Sequence, residues 1–218
     1  MASANTAKNI VIKPIKPATA NYLTRLWHYS NKVVPNSQLH LGVFLNGRVG
    51  GVMQFGPSIN KKGTINLVKN TKWNEFIELN RLAFADWLPK NSESRAIAVA
   101  MRIIKKKAPH VKWVISFADA TQCGDGTIYR AAGFYLVGIT KNTSLRYNPS
   151  TGEPMHIIQA HHKKINGKVF RTWKPLEGYM LKYVYFLDKN KISDLAVPII
   201  PYGKIKELGV CMYKGEKT

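Results

Sequence analysis

DATQCGDGTIYRAAGF, residues 119–134, decides how this chain is to be read. The run before it, Trp113 to Ala118 (WVISFA), is apolar and predicts a buried strand. Asp119 therefore stands at a strand end. A turn with Gly124 and Gly126 follows, then a short helix from Gly126 to Ala132 that carries Tyr129. Gly133-Phe134 closes that helix and opens a strand running to Thr140. Ligands of open α/β sheets bind in the loops beyond strand ends. An acid and a phenol delivered to one such place suit proton transfer.

Upstream, Ser92 to Lys107 reads as a helix: Ile97, Ala100, Met101 and Ile104 recur at helical spacing, Lys105-Lys106-Lys107 suit its C-terminus, and Pro109 stops it. Glu75 to Phe84 predicts a strand holding Asn80-Arg81. Leu39 to Leu45 and Val49 to Phe55 flank Asn46-Gly47, a strong hairpin signal. Asn9 to Ile15 reads as a short strand limited by Pro14 and Pro17, and Ala18 to Tyr29 as a helix. Gly56 to Gly63, with Lys61 and Lys62, reads as a loop. Downstream, Lys141 to Gly152 is a polar loop, residues 161 to 177 are basic and loop-like, and Tyr179 to Leu187 is a last aromatic strand. The domain division expected is a disordered 1–8, a catalytic domain over 9–187, and a basic extension over 188–218 that packs on it.

The charge balance is unusual. Thirty-three Lys and Arg face twelve Asp and Glu, a net charge of +21, while 45% of residues are hydrophobic as in an ordinary globular chain. Such an excess points to a polyanionic partner, nucleic acid first. No run of 18 apolar residues exists, so a membrane is not expected. Two cysteines, Cys123 and Cys211, form no disulfide framework or zinc pattern. With no apolar signal core at the N-terminus, a reduced, cytosolic compartment is expected.

Tyr129-Arg130-Ala131-Ala132-Gly133-Phe134 resembles the late helix of the GNAT acetyltransferase superfamily, where a tyrosine protonates the departing CoA thiolate. The order strand, helix, hairpin, strand, helix, strand, helix, strand also resembles that fold, a mixed α+β sheet splayed in its middle and flanked by helices. GNAT enzymes usually carry a glycine-containing phosphate loop before the central helix. Here that place reads LPKNSESR, Leu88 to Arg95, without a glycine pair. That helix start reads equally as a plain capping box, with Ser92 or Asn91 as the cap, or as a holder of a CoA phosphate through Lys90, Asn91, Ser92 and Arg95.

Three blocks in order, LGVFLNGRVGGVMQFG, ELNRLAFADWLPKNSESR and PHVKWVISFADATQCGDGTIYRAAGF, resemble the phage Mu Mom family of DNA-modification proteins across roughly residues 22–140. The resemblance implies a transferase that converts adenine in double-stranded DNA to an N6-methylcarbamoyl-type base and shields phage DNA from restriction. It implies an acetyl-CoA-type donor and an associated iron ion. His28-Tyr29 match the family's His-Tyr pair; with Asp119 they are the expected iron ligands, and His28 is alternatively a base or a helix-terminal charge. Asp119 accepts a proton from the adenine amine or caps its turn, Tyr129 is the acid, and Arg81 with Asn80 holds a phosphate or acyl oxygen.

A base inside a duplex must flip out to reach such a cleft. Trp73, Trp87, Tyr29 and Tyr147 are the candidate stacking groups. Lys61, Lys62, Lys141, Arg146, Lys163, Lys164, Lys168, Arg171 and Lys174 are the candidate phosphate neutralisers. His156, His161 and His162 read as surface or DNA-contacting, and an acyl intermediate on Cys123 is disfavoured for want of a paired base. The rivals are a conventional GNAT acetyltransferase acting on RNA or protein amines, and a basic nucleic-acid-binding protein without activity.

Overall fold

In a computed structural model, the described residues are 6–121 and 124–209, with the backbone of 212–213 and 216–217. The central sheet has seven strands. In chain order they are β1 (Val11–Pro14), β2 (Leu39–Leu45), β3 (Arg48–Gly56), β4 (Phe76–Phe84), β5 (Trp113–Asp119), β6 (Tyr135–Lys141) and, after two short strands, β9 (Tyr179–Phe186). Across the sheet the order is β1-β2-β3-β4-β5-β9-β6. Every neighbouring pair is antiparallel except β4 and β5, which run parallel. The helix α3 (Ser92–Lys107) makes the crossover between those two strands.

The hairpin turns at Asn46 (φ 51°) and Gly47 (φ 79°), the paired left-handed conformations that a two-residue turn needs. Pro14 sits on the edge strand β1, where its missing donor costs nothing. α3 buries Ala96, Ile97, Ala100, Met101 and Ile104 against the sheet, in the same core as Leu79, Val114, Tyr129 and Tyr183. On the other face, α1 (Pro17–Trp27) packs Ala20 and Leu23 onto Val52 and Ala83. A buried polar set fixes its seat: Thr24 Oγ1 donates to Gln54 Oε1 (2.8 Å) and Gln54 Nε2 donates to Asn21 Oδ1 (2.9 Å).

Several expectations change. Residues 1–5 of the expected disordered segment lie outside the described residues, and Ala7–Asn9 form a 3-10 turn. Lys61–Ile65 is a helical turn, α2, with Asn60 Oδ1 accepting from Gly63 N (3.1 Å) as its cap. The basic stretch after β6 is not a loop. It holds β7 (Leu145–Tyr147), β8 (Pro154–His156), α5 (Ile157–His162) and α6 (Gly167–Thr172), around a small core of Met155, Ala160 and Phe170. This lobe leaves the sheet after Lys141 and returns at Tyr179, which pair with each other, and Asn142 N donates to Gly178 O (2.9 Å) at its neck.

Beyond β9 the chain folds back over the sheet. Ala196 N donates to Leu67 O, Ile200 N donates to Leu136 O, and Ile205 of α7 (Gly203–Glu207) is buried. Among the described residues, no helix is long and apolar enough to cross a membrane.

Candidate active site

β4 and β5 pair at only three positions, Phe76 with Trp113, Ile77 with Val114 and Glu78 with Ile115. Beyond these the two strands part, β4 running on to Phe84 beside β3 and β5 to Asp119 beside β9. A cleft of about 550 Å³ opens where they part. Its walls are β4 from Glu78 to Leu82, β5 from Phe117 to Asp119, the turn and helix from Gly124 to Tyr129, and His28-Tyr29 after α1. The fold thus brings Asp119, Tyr129, His28, Tyr29, Asn80 and Arg81 to one cavity.

Asp119 is 7% exposed. Its Oδ1 accepts from Thr121 N (3.0 Å) and from Thr121 Oγ1 (2.5 Å), so it also closes its own turn. Burial raises its pKa above the ordinary carboxyl value; the Thr121 hydrogen bonds and the nearby His156 pull the other way. A carboxylate of raised pKa is a stronger base than an exposed one. Tyr129 belongs to α4 (Thr127–Ala131) and is held between Phe134 and Tyr183, with ring centroids 5.6 and 5.2 Å away. Gly126 makes this possible. Its φ is +72°, and a Cβ there would lie 2.5 Å from the Tyr183 ring. Cys123 lies outside the described residues.

His28 is buried and stacks on Tyr29, with ring centroids 4.3 Å apart. Burial, and then the positive Arg81, lower its pKa to about 3, so the ring is neutral. Ser30 N donates to its Nδ1 (3.1 Å), which leaves the proton on Nε2. His28 is therefore a hydrogen-bond donor to the cleft, which corrects its expected role as a base. Ser30 Oγ also lies 2.8 Å from Nδ1, where it is the outward partner that a ring N–H would use. Among the described residues, no group of three His, Cys, Asp or Glu side chains is placed to hold a metal ion. His28, Tyr29 and Asp119 all line the cleft.

Arg81 does more holding than reaching. Its Nε donates to Lys32 O (2.8 Å) and its Nη1 to Asn80 O (2.7 Å). Asn80 accepts from Ser37 Oγ (3.1 Å). The pair thereby stitches residues 32–37 onto β4. Sequence reading missed Glu78 as a cleft residue. It is a second carboxyl in the wall, raised by burial and bonded to Ser58 and Asn80. Its position two residues before Asn80, on the same side of an alternating strand, was the available signal, yet it reads equally well as a surface acid.

Asn91, Ser92 and Arg95 do not line the cleft. Asn91 takes a left-handed conformation (φ 70°) without a side-chain cap. Ser92 is fully buried, and both its N–H (3.1 Å) and its hydroxyl (2.6 Å) donate to Pro89 O. Neither donor is available to a phosphate, so Ser92 is corrected to a structural cap. Arg95 is exposed.

Of the expected phosphate contacts, Lys62, Lys141, Lys163, Lys164, Lys168, Arg171 and Lys174 are exposed. Lys61 lies over the Trp73 ring, 4.5 Å from its centroid. Arg146 is corrected to a lobe-building residue: its Nη1 donates to Trp173 O (2.6 Å), and its Nε is buried. Of the four aromatics, only Tyr29 lines the cleft; Trp87 lies under Arg48 at 4.4 Å. His156 is half-buried. It caps α5 through Nδ1 and lies near enough to Asp119 for each to shift the other.

A mixed sheet splayed at its one parallel pair, with a crossover helix and a cleft in the splay, defines the GNAT fold. Arabidopsis thaliana NAA60, solved in complex with a bisubstrate analogue, superposes with a TM-score of 0.51 at 13% identity, covering 81% of this chain and 97% of that one. An N-acetyltransferase from Staphylococcus aureus Mu50 gives 0.50 at 14% identity, covering 82% and 99%. These likenesses are of fold. The chain belongs to the Mom protein family, whose model matches residues 9–204. It is 36% identical to the methylcarbamoylase mom of Escherichia phage Mu over 209 residues, 91% of this chain and 85% of that protein.

Proposed function

We propose that this protein is a transferase that modifies the N6 amine of adenine in double-stranded phage DNA with a methylcarbamoyl-type group, and that the product protects the DNA from host restriction. The observation that carries the reading is the meeting of Asp119 and Tyr129 at the strand splay, in a chain 36% identical to a methylcarbamoylase. The positive charge supplies affinity for the polyanion.

The adenine amine is a poor nucleophile, because its lone pair is delocalised into the ring. Asp119, desolvated and raised, accepts the N–H proton as the amine attacks. His28, neutral with its proton on Nε2, offers that hydrogen to the acceptor oxygen on which charge develops. Tyr129 gives its hydroxyl proton to the leaving group. The cleft suits an acyl-CoA donor, because the backbone edges of β4 and β5 past Glu78 are open to an added extended chain of amides. Lys90 and Arg95 beside the start of α3 are exposed for its phosphates. For a methylcarbamoyl product the group transferred would be CH3NH–C(=O)–, carried as a thioester: the adenine N6–carbonyl bond would form, the carbonyl–sulfur bond would break, and Tyr129 would protonate the departing thiolate, whereas a plain acetyl group would lack the nitrogen.

The test is nucleoside mass spectrometry of plasmid DNA from cells making the protein, beside Asp119→Asn and Tyr129→Phe forms. A heavier adenosine found only with the intact cleft supports the reading. Unmodified DNA from well-folded, expressed protein overturns it.

A further inference from the structure

We propose that Ile59 is a wedge that enters the base stack of the duplex beside the cleft and fills the gap left by the base that swings out. The proposal rests on the DNA-modifying reading above, and concerns how the flipped state is held open.

Ile59 is 70% exposed, more than any other large hydrophobic side chain among the described residues. A single exposed isoleucine is ordinary. What sets this one apart is where it stands and how firmly. It tips the loop between β3 and α2. The residue before it, Ser58, is buried, with its hydroxyl 3.3 Å from Thr64 Oγ1. The residue after it, Asn60, caps α2 by accepting from Gly63 N (3.1 Å). Pro57 O accepts from Asn36 Nδ2 (3.2 Å), and Asn80 Nδ2 lies 3.5 Å from it. Gly56 is packed so closely that a Cβ there would lie 2.6 Å from Asn36 O and 2.8 Å from Asn80 Oδ1. The loop is thus braced on both sides of its tip.

The same contacts set the tip beside the cleft. Asn80 and Glu78 both line the cavity, and the Glu78 carboxyl accepts from the Ser58 hydroxyl and the Ile59 N–H. Ile59 therefore stands one hydrogen bond from a residue of the cleft wall. Cations follow it closely along the chain. Lys62 is exposed, and Lys61 lies over the half-exposed Trp73 ring, 4.5 Å from its centroid. Those lysines favour a polyanion over an apolar protein surface as the occupant. Aliphatic side chains can part base steps when the phosphates on either side are held. A flipped adenine leaves a gap in the stack, and the bases above and below it lose their contacts. An isoleucine buried in that gap recovers apolar contact and obstructs the return of the base.

The test uses a duplex spanning an adenine mapped as modified in plasmid DNA from cells making the protein. Affinity is measured for the wild type, Ile59→Ala and Ile59→Leu. Each is measured on the paired duplex and on one with a pyrene nucleotide opposite the adenine, which fills the stack and expels the base unaided. On the paired duplex, Ile59→Ala binds at least about tenfold more weakly, the worth of burying an isoleucine side chain. Modified adenosine from cells carrying Ile59→Ala falls with it. Ile59→Leu, which keeps the apolar bulk, stays near wild type, and pyrene brings Ile59→Ala level with wild type. Affinity and yield of Ile59→Ala equal to wild type leave the side chain to a protein partner, and overturn the wedge with the function standing. A loss that pyrene does not repair makes Ile59 an ordinary contact and overturns the wedge as well. A wild-type protein that modifies no plasmid adenine overturns the function and the wedge together.

Discussion

The cleft and the lobe inserted between β6 and β9 are built on cores of very different size. Asp119 lies between Ala118 and Ala120, and Tyr129 itself belongs to the main core, along with Phe55, Ile97, Met101 and Tyr183. The lobe has Met155, Ala160 and Phe170, helped by Ile165 and Trp173 at its edge. Proton-transfer geometry tolerates errors of a few tenths of an ångström, so its groups hang from the larger core. A phosphate grip tolerates far more, because charge attraction is long-ranged and weakly directional. The difference predicts that chemistry and DNA binding can be lost separately.

The largest effect that would sharpen this contrast is chemical. Asp119→Asn should cut modified adenosine by about 10²–10⁴-fold, the usual worth of a positioned base. It should not lower the melting temperature at pH 7. The folded pKa of Asp119 is raised, so its ionised form costs stability as pH rises through that value, and the neutral amide avoids the cost. For the same reason, the wild-type rate should rise with pH through a pKa above the ordinary carboxyl value of 3.8, and a pH–rate profile would show that limb. A variant that melts well below wild type would mean that Asp119 is chiefly a turn cap.

Next in size is the lobe itself. Phe170→Ala removes about 3–5 kcal/mol of packing, more than so small a core can lose. Limited proteolysis should then cut within 142–178 while the main thermal transition persists, and duplex affinity should collapse. Ile97→Ala, costing about 2–5 kcal/mol, should instead lower the main transition. If Phe170→Ala melts the whole protein in one step, the two regions are one cooperative unit and the contrast fails.

Gly126→Ala lies at the hinge between the two outcomes. The new Cβ meets the Tyr183 ring at 2.5 Å and holds a positive φ, at a cost of about 1–3 kcal/mol. Displacement of α4 should move Tyr129, so activity falls more than stability, as paired melting and product assays would show. The smallest effect is expected at Glu207, paired with Lys204 at 2.6 Å with both side chains more than half exposed. Glu207→Gln should change stability by no more than about 0.5 kcal/mol by denaturant unfolding.

Much of the fold was legible because its signals are local. The Asn46-Gly47 turn, the 3.6-residue recurrence of Ile97, Met101 and Ile104, and the apolar run before Asp119 each act within a few residues. The lobe was read as loop because its short helices carry little periodicity; Asn166 and His156 cap them, but caps alone do not announce a helix. Ser92 and Arg146 illustrate the same limit at the site. Each residue type suits a phosphate, and only the packed chain shows that Ser92 turns both donors to Pro89 O and Arg146 turns to Trp173 O.

What the sequence determined by itself is the set of strands and the long helix, the excess of positive charge, and the presence of Asp119 and Tyr129 one short turn apart, because each follows from neighbours along the chain. What only the tertiary structure decided is how far the parallel strands stay together. Pairing stops after Glu78 and Ile115, and that break makes the cleft. It also decided which residues from remote segments meet there: Glu78 and Asp119 in the walls of one cavity, and His28-Tyr29 from the end of α1. Those outcomes depend on burial and on through-space charge, and neither leaves a mark on the order of residues in the chain.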